Sequence, residues 1–138
     1  MGWSRALTVT LGLSCAVALA TLPAPAQDAT KPHTFSNGYS FVEVTGEELF
    51  ANVCQGCHMP DAMGATGAGT YPSLASDSYL QSSGYPIYVV LHGRRAMPPF
   101  ADMLSDEQIA AVVNYLRTHF GNNFRDSVTA ADVKDARR

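Results

Sequence analysis

The sequence predicts an all-α fold, and three observations carry that expectation. Two stretches open on a hydroxyl residue followed three places later by a carboxylate or amide, Thr45 with Glu48 and Ser105 with Gln108, and each continues into apolar residues at helical spacing. A third apolar stretch, Tyr85–Leu91, has Pro86 where a first turn tolerates it and Gly93 just past its end. The strands that would alternate with helices in an α/β chain are not visible.

The 138 residues, 46% of them hydrophobic, are material for one small domain. Residues 1–26 are expected to be a cleaved signal peptide: Arg5, a nearly all-apolar run over Ala6–Leu22, then Pro23-Ala24-Pro25-Ala26 ending in a small-x-small pattern. The run is short for a membrane anchor and carries Thr10, Ser14 and Thr21, so the mature chain is expected to have no membrane span and to reside in the periplasm. Cleavage removes one arginine, no acid, Cys15 and the only tryptophan, Trp3, which makes the formal charge of −3 one unit more negative. Without a basic stripe or cluster before Arg137-Arg138, the chain has no nucleic-acid footprint.

After the leader, residues 27–44 read as an N-terminal extension, polar with Lys31, Pro32 and Gly38, and with Phe41–Val44 in extended form against the domain. Thr45 caps a helix in which Leu49 and Val53, then Phe50 and Cys54, recur at i, i+4. That helix delivers Cys54-Gln55-Gly56-Cys57-His58 at its C-terminal end. Met59–Ser73, with Gly64, Gly67, Gly69, Pro60 and Pro72, reads as an irregular loop. Ser76 or Asp77 caps a short helix through Gln81, and the Tyr85–Leu91 helix follows. Arg94-Arg95-Ala96-Met97-Pro98-Pro99-Phe100 is a stiff segment, because Pro98 bars the residue before it from helical geometry. The helix starting at Ser105 presents Ile109, Val112, Val113, Leu116 and Phe120 as one stripe and is expected to end at Gly121. Residues 122–138 read as a polar C-terminal tail in which Thr129 can start a short helix.

The chemistry sits in Cys54–His58. Two thiols at this spacing with an adjacent imidazole are a covalent attachment site for haem, the thiols adding to the porphyrin vinyl groups and His58 ligating the iron. A disulfide between Cys54 and Cys57 would close only a very small loop and stabilise little. A redox dithiol needs a strand before it, and structural zinc needs a second ligand pair, which a mature chain without further cysteine does not supply. A backbone carbonyl must accept the other ring proton of His58, and Pro72 is the candidate.

The second axial position has several candidates: Met97, Met103 and His92, or no ligand at all. Met59 and Met63 are too near His58 in sequence to cross to the opposite face, and His119 lies in the last helix. Met97 is preferred, because a thioether on a proline-braced loop has no packing purpose there. Arg94 or Arg95 is a candidate partner for the haem propionates. Phe50 and Tyr115 are expected to pack the first helix against the last.

In order along the chain, Gly46, Leu49, Phe50, Cys54-Gln55-Gly56-Cys57-His58, Pro72, Leu74, Gly93, Met97-Pro98, Ile109, Val113 and Tyr115-Leu116 resemble the pattern of class I monohaem cytochromes c. The resemblance covers residues 45–121. It implies three principal helices wrapped around one covalently bound haem c, thioether links at Cys54 and Cys57, and iron ligands at His58 and Met97. The first and last helices would cross through Gly46, Phe50 and Tyr115, and Pro72 and Leu74 belong to the haem surroundings. More narrowly, Met97-Pro98-Pro99-Phe100, Leu104–Ile109 and the tail are similar to cytochrome subunits of bacterial periplasmic dehydrogenases. The implied role is single-electron transfer rather than catalysis, from a dehydrogenase or quinol-linked donor to a terminal oxidase or another cytochrome. The rival reading is a haem enzyme or a gas- or peroxide-binding protein with an open iron position.

Overall fold

A computed structural model of the chain describes residues 40–138. The expected leader, residues 1–26, and the extension through residue 39, including His33, lie outside the described residues. Among the described residues no helix is long and apolar enough to cross a membrane.

Thr45 opens helix α1, Gly46–Leu49, with both halves of a capping box: its hydroxyl accepts from Glu48 N, and the Glu48 carboxylate accepts from Thr45 N. The helix does not run unbroken into the attachment motif. Phe50–Cys54 form a π-helical turn, and helix α2, Gln55–His58, follows. A π turn adds a residue to the circuit, so Leu49 and Phe50 stay buried in the core while the motif beyond leaves the register of a continuous α-helix.

Met59–Ser73 holds more order than its glycines suggest. Strands β1, Ala65–Thr66, and β2, Thr70–Tyr71, pair antiparallel with Ala65 opposite Tyr71. A 3-10 turn, Ser78–Gln81, is capped by Asp77 rather than Ser76. Helix α3, Gly84–His92, buries Pro86, Ile87, Val90 and Leu91. Helix α4, Asp106–Thr118, starts with a complete Ser105/Gln108 capping box. Beyond its cap bond, the Gln108 side chain donates to the carbonyls of Phe41 (2.8 Å) and Glu43 (2.7 Å), which fastens the entering chain to the last long helix. Each such cap is worth about 1 kcal/mol.

Helices α1 and α4 meet at Gly46, and the core is built around that joint. The Phe50 ring lies 5.9 Å from Tyr115 and 4.7 Å from Phe120, so the expected aromatic contact between first and last helices is present. Helix α4 ends at Thr118, earlier than the periodicity predicts. Phe120 takes φ 55 and Gly121 φ 80, a left-handed exit that aims Phe120 at Phe50 instead of continuing the stripe.

Residues 122–138 fold back onto the helices. Val128 and Val133 are buried, and helix α5, Ala130–Ala136, packs on α4 and α3 behind a Thr129/Asp132 capping box. Asn114 holds Val128 through both backbone groups at 2.8 Å. Two tail carboxyls titrate below the ordinary aspartate value of 3.8: Asp126, mainly through its hydrogen bond from Arg117, and Asp132, through the bonds from the Thr129 hydroxyl and amide. A depressed folded value means a contribution present above the unfolded value and lost as pH falls through the folded one. Stability is therefore expected to decline below about pH 4, less steeply in an Asp126→Asn/Asp132→Asn protein. Denaturant midpoints measured across that range would show parallel slopes if these two contacts carry no acid sensitivity.

Candidate haem site

The residues expected to form the site lie on α2, on the loop after it and on the segment between α3 and α4. Cys54 is half-buried and Cys57 exposed, and no disulfide joins them. Burial, with Cys57 adding to it, pushes the Cys54 thiol up to about 12. A thiol so reluctant to ionise is a poor zinc ligand and a poor redox nucleophile, whereas a thioether carries no proton and no charge in that environment. Among the described residues no three His, Cys, Asp or Glu side chains cluster as a metal site of that kind requires.

His58 ends α2 and is 7% exposed. Its Nδ1 lies 3.0 Å from the carbonyl oxygen of Pro72, the carbonyl that the sequence puts forward. With Nδ1 donating, Nε2 is left as the acceptor nitrogen, the tautomer a metal-ligating imidazole uses. The approach depends on Gly64. A Cβ there would sit 2.2 Å from Tyr71 O and 2.8 Å from Pro72 O, and its φ is +69. Gly64 N also donates to His58 O at 3.0 Å. The β1–β2 pair thus folds Pro72 back over the imidazole, and only glycine fits beneath it. By sequence Gly64 is one of several loop glycines, and its place six residues after an iron-ligand candidate is the signal that sets it apart.

Leu74 and Met97 are half-buried against the core. Leu74 N donates to Ala62 O at 2.8 Å, tying it behind the Pro72 loop. Met97 and Arg94 exchange backbone hydrogen bonds of 3.0 Å in each direction, which closes a tight turn with Arg95 at φ 55. Met103 is half-buried and its carbonyl accepts from Phe41 N, while His92 is exposed against the Tyr88 ring at 4.6 Å. Met63 is 60% exposed. His119 stacks on Tyr115 at 4.1 Å. The Arg94 guanidinium donates to the Tyr85 hydroxyl at 3.1 Å and lies 6.0 Å from that ring, while Arg95 is exposed.

These residues fit haem c: two cysteines about one turn apart, an imidazole oriented by a backbone carbonyl and a thioether on a stiff loop, on a helical frame. The class this defines is that of proteins carrying haem by covalent attachment. Residues 43–116 match the family model described as "Cytochrome C oxidase, cbb3-type, subunit III", and the chain belongs to the cytochrome c family. It is 34% identical over 107 residues to the alcohol dehydrogenase (quinone) cytochrome c subunit of Gluconacetobacter polyoxogenes, covering 68% of this chain and 22% of that one. It is 31% identical over 109 residues to the gluconate 2-dehydrogenase cytochrome c subunit of Pantoea cypripedii, covering 68% and 24%. Cytochrome c6 of Parathermosynechococcus lividus is 36% identical over 72 residues, which are 51% of this chain and 83% of the relative. The chain spans less than a quarter of the two dehydrogenase subunits. The cofactor is covalently bound haem c with its iron, and residues 43–116 are a cytochrome c domain of the electron-transfer kind.

Proposed function

We propose that the protein is a periplasmic carrier of single electrons, exported by residues 1–26, that takes electrons from a dehydrogenase or a quinol-linked donor and passes them to a terminal oxidase or another cytochrome. The observation that carries the ligand assignment is the His58 Nδ1 to Pro72 O contact, which leaves Nε2 for iron. Cys54 and Cys57 would supply the thioether links, Met97 the second axial ligand, Leu74 apolar lining, and Arg94 a cation for the propionates. Bound haem supplies a ferrous/ferric couple, and imidazole plus thioether ligation in an apolar setting favours the reduced form. The relatives that are named as cytochrome subunits of alcohol and gluconate dehydrogenases support a dehydrogenase donor. Partners would meet the carrier through a small, short-lived contact.

Near-infrared absorption of the ferric protein tests the ligand set. A methionine-to-iron charge-transfer band is expected in the native protein and in Met103→Ala, and is expected to vanish in Met97→Ala. A band that survives Met97→Ala, or is missing from the native protein, overturns Met97 as the ligand.

A further inference from the structure

The C-terminal helix ends on a cluster of bonds that the electron-transfer reading does not use. Arg137, just past α5, spans three groups with one guanidinium: Nε on the Asp106 carboxylate at 2.8 Å, one terminal nitrogen on the carbonyl of Ala101, and the other on the carbonyl of Leu104 at 3.1 Å. Ala101–Leu104 is the turn that follows Met97-Pro98-Pro99-Phe100. Asp106 opens α4. The arm that carries Arg137 is itself fixed, through the buried Val133, the Val128 backbone held by Asn114, and the Arg117–Asp126 pair at 2.7 Å.

The segment from Gly93 to Leu104 is held at both ends. On the α3 side the packing is backbone on backbone: a Cβ on Gly93 would fall 2.5 Å from Met97 O, and Phe100 N donates to Val90 O at 2.9 Å. On the α4 side the charged fastening is Arg137. Bonds from a guanidinium to carbonyl and carboxylate oxygens are charge-assisted and outlast neutral ones. Two prolines stiffen the middle, so Met97 cannot swing away unless one end gives.

We infer that α5 is a brace for the Met97 loop, with Arg137 a positioning residue that keeps the loop shut and so sets how seldom the axial thioether leaves the iron. The inference rests on Met97 being the ligand. A ligand added from solution competes for that position only in the open form, so its apparent dissociation constant is its intrinsic one divided by the open fraction. Weakening the brace raises that fraction without touching the haem.

Imidazole titrated into the full-length ferric holoprotein, followed by loss of the methionine charge-transfer band, reads the open fraction directly. Arg137→Ala is expected to bind imidazole about tenfold more tightly than the native protein, since a lost charged hydrogen bond shifts an equilibrium by about that factor. Arg137→Lys, which keeps charge but loses the fork, is expected between the two. Arg138→Ala should match the native protein, because Arg138 pairs with Asp135 at 2.7 Å, both side chains standing largely in solvent. Far-ultraviolet circular dichroism of each variant checks that the helices are retained. Native affinity in Arg137→Ala, or an equal gain in Arg138→Ala, overturns the brace and leaves the ligand assignment standing. A native protein without the band, or a band that persists in Met97→Ala, overturns the ligand assignment instead.

Discussion

A Gly46→Val protein is expected to lose at least about 4 kcal/mol of stability, close to the whole of a marginal domain's margin. The position is a close approach of α1 to α4. A Cβ on Gly46 would lie 2.2 Å from Ala111 O and 2.6 Å from Tyr115 Cβ, both parts of α4 that cannot rotate aside. Only separation of the helices relieves the clash. Overpacking costs about 1–3 kcal/mol for a first methyl group, and the helix-propensity gain of about 1 kcal/mol over glycine offsets only part of it. Gly46→Ala is therefore expected to lose about 2 kcal/mol, and the two further methyls of valine add to that. Separation also pulls Phe50 from Tyr115 and Phe120, an aromatic cluster in which each ring pair is worth about 1 kcal/mol. Since α1 runs through the π turn into Cys54–His58, that motif moves with the joint. Denaturant unfolding of the holoprotein, followed at the Soret band and by far-ultraviolet circular dichroism, measures the loss. A valine variant within about 1 kcal/mol of the native protein would mean that the joint is looser than the geometry says.

The parts of this molecule that sequence reveals are those whose cause is local. A cap is decided by residues three apart, so Thr45/Glu48, Ser105/Gln108 and the start at Thr129 were legible, and all three boxes close in the structure. Haem attachment was legible because few chemistries use two cysteines and a histidine at that spacing. What escaped depends on partners far along the chain. Phe120 fits the stripe of α4 by spacing, yet it leaves the helix because the ring of Phe50, seventy residues earlier, offers a better contact at 4.7 Å. The π turn at Phe50–Cys54 uses residues that also suit an α-helix. Only the need to hold Leu49 and Phe50 on α4 while reorienting the motif selects it. Residues 122–138 read as a polar tail because just two valines, Val128 and Val133, commit it to the core. Their surroundings are made by Asn114 and Arg117, which composition alone marks as surface.

Arg117 is the sharpest case, and replacing it with alanine is expected to cost about 3 kcal/mol, the low end of the range for breaking a buried ionic cluster. It falls four residues after Val113, on the apolar stripe, and that spacing is the signal that it would be buried. The residue is 0% exposed. Its guanidinium donates to Leu80 O at 2.9 Å, to Gln81 O at 3.1 Å, and to both the backbone and the carboxylate of Asp126, with the Phe124 ring 5.9 Å away. One side chain thus joins the 3-10 turn, α4 and the tail. Taking a guanidinium out of water is costly, and here carbonyls offset the cost more than the carboxylate does, since Asp126 stands largely in solvent. That distribution sets the magnitude. Alanine strands buried carbonyl oxygens and leaves a void, but it strands no buried charge. Arg117→Met separates the two contributions, because it refills much of the volume and still leaves the carbonyls unpaired; it is expected to lose about 2 kcal/mol, one to two buried acceptors' worth. Denaturant midpoints at neutral pH measure both. If Arg117→Met is as stable as the native protein, the cluster contributes shape alone. The same variants bear on the Met97 loop, because Arg117 anchors the tail that presents Arg137. Arg117→Ala should bind imidazole more tightly than the native protein, and adding Arg137→Ala should bring less than its separate effect, as two residues acting on one brace require.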